Sequence, residues 1–115
     1  MNKKKQLELM IIISKRGMAD KIVSATKDLA TFPSIVLSKG TASSEILSSL
    51  GLGEPEKDMI LCFCEKANVE YIYNILSGEF KFKEKHNGIA MTIPVSAVGG
   101  NLTLQILLGK TKDLM

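Results

Sequence analysis

The sequence predicts an α+β fold: a ferredoxin-like antiparallel sheet, in the order βαββαβ, with two helices on one face and an additional C-terminal strand. Apolar runs of strand length alternate with two segments of helical periodicity, and a long loop separates two βαβ halves. The 115 residues leave room for a single hydrophobic core. We therefore expect one domain over residues 1–115.

The first half opens with a charged tail over residues 1–6. The isoleucine-rich run over 7–14 is too short for a typical helix and predicts a buried strand. Over residues 18–30 the apolar side chains recur every three to four positions, which predicts an amphipathic helix. We expect Phe32 and Pro33 to end this helix, because proline disfavours helical backbone at the preceding residue. A second strand is predicted over residues 35–38.

The second half repeats this pattern. Residues 58–64 form an apolar run that predicts a third strand, and residues 66–77 predict a helix that ends at Gly78. Asn87 and Gly88 predict a turn before a fourth strand over 89–95, and a fifth strand is predicted over 102–108, with a tail over 110–115. With both helices on one face, the other face of the sheet is left apolar. We expect a second copy of the chain to bury it.

Between the halves, residues 40–55 are rich in glycine and serine and predict a loop. Ile46, Leu47 and Leu50 interrupt this polar composition. Two interpretations remain: these side chains form a helical turn that packs on the domain, or they form an exposed apolar motif for a partner.

The composition argues against several classes of function. The net charge of +3 and the presence of one arginine, Arg16, are not typical of a nucleic-acid-binding protein. We therefore expect no direct nucleic-acid binding. No segment has the roughly 20 apolar residues of a membrane span, so we also expect no membrane insertion. The sole histidine, His86, lies in a polar loop away from any catalytic motif, and we expect no enzymatic activity. Cys62 and Cys64 are expected to be reduced, buried thiols in a cytoplasmic protein.

Two glycine-bearing loops are candidates for binding an anion. Residues 39–42 follow the second predicted strand, and residues 85–88 precede the fourth. Glycine allows close approach of the backbone, whose N–H groups can bind phosphate.

These loops carry a resemblance to a known family. Residues 87–95, Asn-Gly-Ile-Ala-Met-Thr-Ile-Pro-Val, resemble the nucleotide loop and following strand of the nitrogen-regulatory PII signalling family, written Gly-x-Gly-Lys-Ile-Phe-Val-Leu-Pro-Val. Residues 39–42, Lys-Gly-Thr-Ala, are similar to the family's Gly-Phe-Gly entry into its long T-loop. Residues 54–57, Glu-Pro-Glu-Lys, lie where that loop returns to the third strand. The resemblance covers the order of elements over roughly residues 7–100.

The resemblance implies a PII-like domain that forms a homotrimer and binds an adenine nucleotide, ATP or ADP, in clefts between subunits. Such a protein regulates a partner, such as a membrane transporter or a metabolic enzyme, in nitrogen regulation or transport. The T-loop counterpart, residues 40–55, would contact the partner through Ile46, Leu47 and Leu50. The nucleotide would be bound by Lys39, Gly40, Thr41, Lys85, Asn87, Gly88 and Ile89.

Four features depart from the family pattern, and one of them is that residues 40–55 contain no tyrosine for nucleotidylation. The family's lysine after the loop glycine corresponds to Ile89, its Arg-x-Arg pair falls near residues 100–102, where no arginine is present, and its T-loop glutamine has no counterpart. Each lost cationic contact would remove about 1.5–3 kcal/mol of binding energy. This loss favours one alternative, a ligand-free interaction module on the same fold. A second alternative is a metal-binding trimer that uses Cys62, Cys64 or His86.

Overall fold

The computed structural model describes residues 6–37, 49, 57–84 and 87–100. In chain order the elements are β1 (Leu7–Lys15), α1 (Ala19–Ala25), β2 (Ala30–Leu37), β3 (Lys57–Glu65), a 3₁₀ turn (Lys66–Asn68), α2 (Val69–Gly78) and β4 (Gly88–Pro94). The predicted order of elements is confirmed. The expectations for residues 1–5, for the loop over 40–55 with Ile46, Leu47 and Leu50, for the strand over 102–108 and for the tail over 110–115 fall outside the described residues.

The four strands form one sheet in the order β2-β3-β1-β4, and every neighbouring pair is antiparallel. Ile12 at the centre of β1 lies opposite Ile60 of β3 on one side and Ala90 of β4 on the other. This is the strand order of two interleaved βαβ units, so the ferredoxin-like fold predicted from the sequence is confirmed.

The core lies between the sheet and the two helices. Alternate strand residues point to the helical side, because successive side chains of a strand face opposite ways. Ile12, Ile60 and Ile72 are each at most 1% exposed. Among the described residues, the buried cluster consists of Met10, Ile12, Ala19, Ile22, Ile60, Cys62, Cys64, Ile72 and Leu76.

Helix α1 is shorter than the periodicity predicts, because it ends at Ala25 and not near Ala30. The backbone N–H groups of Leu29 and Ala30 both donate to the carbonyl of Thr26, at 2.9 and 3.0 Å, which closes a turn after the helix. The Thr26 hydroxyl donates to the carbonyl of Ile22 and satisfies an acceptor of the last helical turn. Ala30 is then already paired with Cys64 in the sheet.

Strand β2 starts five residues earlier than predicted, and Phe32 and Pro33 lie inside it and do not end a helix. The register changes between Thr31 and Ser34, so that Phe32 and Pro33 together lie opposite one residue of β3. This is a β-bulge, and Phe32 has a φ of 50° there. The predicted end of a helix at Phe32 and Pro33 is therefore wrong, because pairing with β3 places both residues in a strand.

The side of the sheet opposite the helices, which we call the open face, is apolar. Its apolar cluster is formed by sheet residues alone, with Ile13 buried against Ile11, Met59 and Ile89. At its margin, Ile93 is 49% exposed and Val36 is 46% exposed. Strand alternation and register show which side chains of β1, β3 and β4 lie on this face. They are Leu9, Ile11, Ile13, Met59, Leu61, Phe63, Ile89, Met91 and Ile93. The uncovered apolar face expected from the sequence is therefore present within the described residues.

Candidate functional site

Four residues mark the end of the sheet at which both glycine-bearing loops are attached. Leu37 pairs with Asp58, Asp58 pairs with Ser14, and Ser14 pairs with Gly88. Adjacent strands lie about 4.8 Å apart, so this row spans roughly 14 Å. Residues 38–56 connect β2 to β3 at this end, and residues 79–87 lead into β4 here. The topology thus attaches two loops that are more than 40 residues apart in the chain to the same end of the sheet.

A cavity of about 300 Å³ lies beside this row, between α2 and the start of β4. Its lining combines aromatic and aliphatic side chains with two hydroxyl groups and one cation, which is the composition typical of a small-molecule site. The lining residues are Tyr73, Leu76, Ser77, Phe82, Lys83, Gly88, Ile89 and Ala90. Two of the residues predicted from the sequence, Gly88 and Ile89, are among them.

Gly88 is tightly packed in this site. A Cβ atom built there would lie 2.6 Å from the carbonyl oxygen of Ile13 and 2.7 Å from Cζ of Phe82. Glycine at this position therefore allows β4 and the Phe82 ring to approach β1. The space that a side chain would occupy is filled by protein, so a bulky substitution of Gly88 would disturb packing as well as any ligand.

Asn87 stabilises the loop before β4. Its side-chain Nδ2 donates to the carbonyl of Lys81 at 3.0 Å, and the same carbonyl accepts from the backbone N–H of Glu84 at 2.9 Å. Lys81 itself has a φ of 59°, in the left-handed region that non-glycine residues seldom adopt. The side chain predicted to contact a nucleotide thus already has a structural partner through its amide nitrogen.

Asp58 and Arg16 also belong to this end of the sheet, and the sequence patterns did not single them out as site residues. Asp58 is 3% exposed, and its Oδ2 accepts from the N–H groups of Gly17, at 2.8 Å, and Ala19, at 3.2 Å. Its Oδ1 lies 4.0 Å from Nε of Arg16. The available signals were a carboxylate at the start of an apolar strand and the only arginine of the chain.

Solved structures of other proteins share the fold of this chain, although no sequence comparison finds a match. No protein-family model and no curated protein matches the sequence. Among solved structures, a PII-like signalling protein from Thermus thermophilus superposes with a TM-score of 0.57 at 22% sequence identity, covering 79% of this chain and 88% of the other. The chain has the PII-like fold.

A second solved structure shares this fold. It is a protein of unknown function from Pediococcus pentosaceus, with a TM-score of 0.58, 9% identity, and coverage of 84% of this chain and 99% of the other. The PII-like fold predicted from the resemblance of residues 87–95 is thus confirmed. In the part of the chain that the structure describes, neither helix is long and apolar enough to cross a bilayer.

Four predicted site residues lie outside the described residues. Lys39, Gly40 and Thr41 follow the end of β2, and Lys85 lies three residues before β4. Ile89 is described: it pairs with Ile13 and belongs to the apolar cluster of the open face as well as to the cavity.

The two cysteines are buried thiols on the helical side of the sheet, 2% and 3% exposed, and neither forms a disulfide, as predicted. Burial raises the pKa of Cys62 to about 11. Burial, with the neighbouring Cys62, Glu8 and Glu65, raises the pKa of Cys64 to about 12. Within residues 6–37, 57–84 and 87–100, no three His, Cys, Asp or Glu side chains come together as metal ligands.

These pKa values predict a loss of stability at alkaline pH. The unfolded chain ionises both thiols near pH 9, whereas the folded chain keeps them protonated to about pH 11 and 12. The unfolded state therefore binds fewer protons in this window, and the free energy of unfolding falls as the pH rises from 9 to about 12, with no contribution below pH 9. Urea titrations at about pH 8, 10 and 11 would measure the decline. In a Cys62→Ala/Cys64→Ala variant the decline should be shallower; an equal slope would contradict the assignment to the thiols.

Proposed function

We propose that this protein is a PII-like regulatory subunit, with no catalytic activity of its own, that binds an adenine nucleotide at the loop-bearing end of the sheet. The observation that carries the proposal is the convergence of both glycine-bearing loops on the row from Leu37 to Gly88, beside the 300 Å³ cavity. In the cavity, the rings of Tyr73 and Phe82 offer apolar surface to a planar base, and the Ser77 hydroxyl offers a polar contact.

The open face supports the proposed assembly. An apolar face that runs across three strands is costly to leave in water, and each fully buried aliphatic side chain contributes about 1.5–3 kcal/mol. We propose a homotrimer in which the open faces of the three copies pack together. This assembly would set the cavity of each subunit beside its neighbour.

The proposed output is a change in the segment between β2 and β3. Because that segment is anchored at Leu37 and Lys57, on the row that borders the site, a bound nucleotide can bias its conformation. The segment would then contact a partner, such as a membrane transporter or metabolic enzyme of nitrogen regulation or transport, in the cytoplasm through Ile46, Leu47 and Leu50.

Calorimetric titration with ATP, ADP and AMP, with and without magnesium and 2-oxoglutarate, tests the proposal. We expect saturable binding of at least one nucleotide. Ser77→Leu, which places a larger side chain in the cavity, should weaken that binding at least about tenfold. Ser24→Leu on the exposed surface of α1, which lines a separate and larger groove of about 650 Å³, is the matched control and should have no effect. Equal affinities for both variants would show that the cavity is not the site.

A ligand-free interaction module is the second candidate function. It is favoured by Ile89, an uncharged side chain that packs on the open face at the position where the PII pattern has lysine. Two results together would establish it. The folded protein binds no nucleotide of the panel, and it captures a partner protein only when residues 40–55 are intact.

A further inference from the structure

The cavity between α2 and the start of β4 has an apolar interior and a charged side chain at its edge. Leu76 is 1% exposed and belongs to the buried core, and Phe82 and Ala90 pack against that core. Lys83, by contrast, is exposed to solvent. Among the described residues that line the cavity, Lys83 is the one that carries a charge. A ligand bound there would meet an apolar surface on its inner side and a cation on its outer side.

A turn in the loop between α2 and β4 positions Lys83 at this edge. The backbone N–H of Glu84 donates to the carbonyl of Lys81 at 2.9 Å, which closes a turn with Phe82 and Lys83 at its two central positions. The backbone N–H of Phe82 donates to the carbonyl of Leu76 at 3.0 Å, so the turn is also fixed to the last part of α2. Both central residues of the turn line the cavity. The turn thus brings an aromatic ring and an ammonium group to the same space.

The ammonium group of Lys83 is available to a ligand. Within the part of the chain that the structure describes, neither Lys83 nor the Ser77 hydroxyl forms a side-chain hydrogen bond or an ion pair with another residue. An ammonium group has three N–H donors and attracts phosphate as a point charge. The cavity therefore combines an unpaired cation and a hydroxyl group with the apolar surface that a planar base requires.

We propose that Lys83 binds the phosphate group next to the ribose and thereby sets the orientation of the bound nucleotide. This inference rests on the proposed nucleotide site. The base lies inward, against Leu76 and Phe82, and the phosphate lies at the edge of the cavity, where Lys83 is exposed. Ile89, at the position where the PII pattern has lysine, packs in the apolar cluster of the open face. Lys83 supplies the positive charge from the preceding loop, so the site selects a phosphorylated nucleoside over the free nucleoside.

Titrations of Lys83→Gln with AMP and with adenosine test this role. AMP has a single phosphate, so no second phosphate can compensate for the lost contact. Removing one charge-assisted contact should weaken AMP binding about ten- to hundredfold, and the affinity for adenosine should stay the same. Added NaCl should weaken AMP binding to the wild type, because salt screens an exposed charge, and should have a smaller effect on Lys83→Gln.

Two further variants serve as controls for the charge and for the position. Lys83→Arg keeps the positive charge and should bind AMP with an affinity close to that of the wild type. Lys81→Gln removes an exposed lysine from the same loop, at a position that does not line the cavity, and should leave both affinities unchanged. Circular dichroism of each variant checks that it is folded.

The possible outcomes separate this inference from the proposed function. Unchanged AMP affinity in folded Lys83→Gln overturns the role of Lys83 and leaves the nucleotide site standing. An equal loss of AMP and adenosine binding, or an equal loss of AMP binding in Lys81→Gln, shows that Lys83 makes no specific contact with the phosphate. If adenosine binds too weakly to measure, an undiminished effect of NaCl in Lys83→Gln overturns the inference. Wild-type protein that binds neither AMP nor adenosine overturns the proposed nucleotide site and the role of Lys83 together.

Discussion

Ile11→Asp should convert the proposed trimer to a monomer. Ile11 lies on the central strand β1, opposite Leu61 of β3 and Met91 of β4, near the middle of the open face. If open faces pack together, the substitution buries an unpaired carboxylate in each copy, which costs several kcal/mol. Since about 1.4 kcal/mol is a factor of ten, association should weaken by at least about a hundredfold. Light scattering after gel filtration measures the mass directly.

The control for this experiment is Tyr71→Asp. Tyr71 is 63% exposed on α2, so the same type of change is made on the helical side of the molecule. This variant should keep the mass of the wild type. An Ile11→Asp protein that is folded and still oligomeric would show that the copies meet through another surface, and a monomeric wild type would exclude the proposed assembly.

Gly88→Ala should destabilise the fold. The added methyl group would lie 2.6 Å from the carbonyl oxygen of Ile13, and a backbone atom in a central strand cannot move aside at low cost. The Phe82 ring blocks the other direction at 2.7 Å. Overpacking of this kind costs about 1–3 kcal/mol, which lowers the melting temperature by several degrees in a domain of this size. Thermal unfolding followed by circular dichroism would show it.

Gly99→Ala is the matched control, since a Cβ at Gly99 meets no atom within 4 Å. It should melt at the wild-type temperature or slightly above, because alanine restricts the unfolded chain. If both variants melt like the wild type, Phe82 and β1 can separate from β4, and the close packing described for Gly88 is not needed for stability. Nucleotide binding is therefore better probed through Ser77 than through Gly88.

The sequence was informative where local pattern and tertiary packing agree. The apolar alternation and helical periodicity predicted the order of elements, the helical side of the sheet and the uncovered open face. It was misleading at the end of α1 and the start of β2, where Phe32 and Pro33 were assigned to a helix end. There the pairing of Ala30 with Cys64, far away in the chain, decides the structure.

The candidate site could be predicted only in part, because its contacts also join residues that are far apart in the chain. The glycine-bearing loops stand out in the sequence, and the topology confirms that they attach to one end of the sheet. Glycine is needed at position 88 because the backbone of Ile13, on another strand, lies too close for a side chain. No local sequence pattern indicates that contact. Asp58 and Arg16 were missed because a carboxylate before an apolar run and one arginine in a turn are common features, and only the fold brings them together.

The bulge in β2 limits how copies of this chain can join. β2 is an edge strand of the described sheet, and a regular edge is a template onto which another chain can add without end. Pro33 has no N–H to offer such a chain, and the positive φ of Phe32 bends the edge away from the regular ladder. Fibre-like growth from this side is thereby discouraged. The association proposed for the open face does not involve this edge, so the bulge leaves it unhindered.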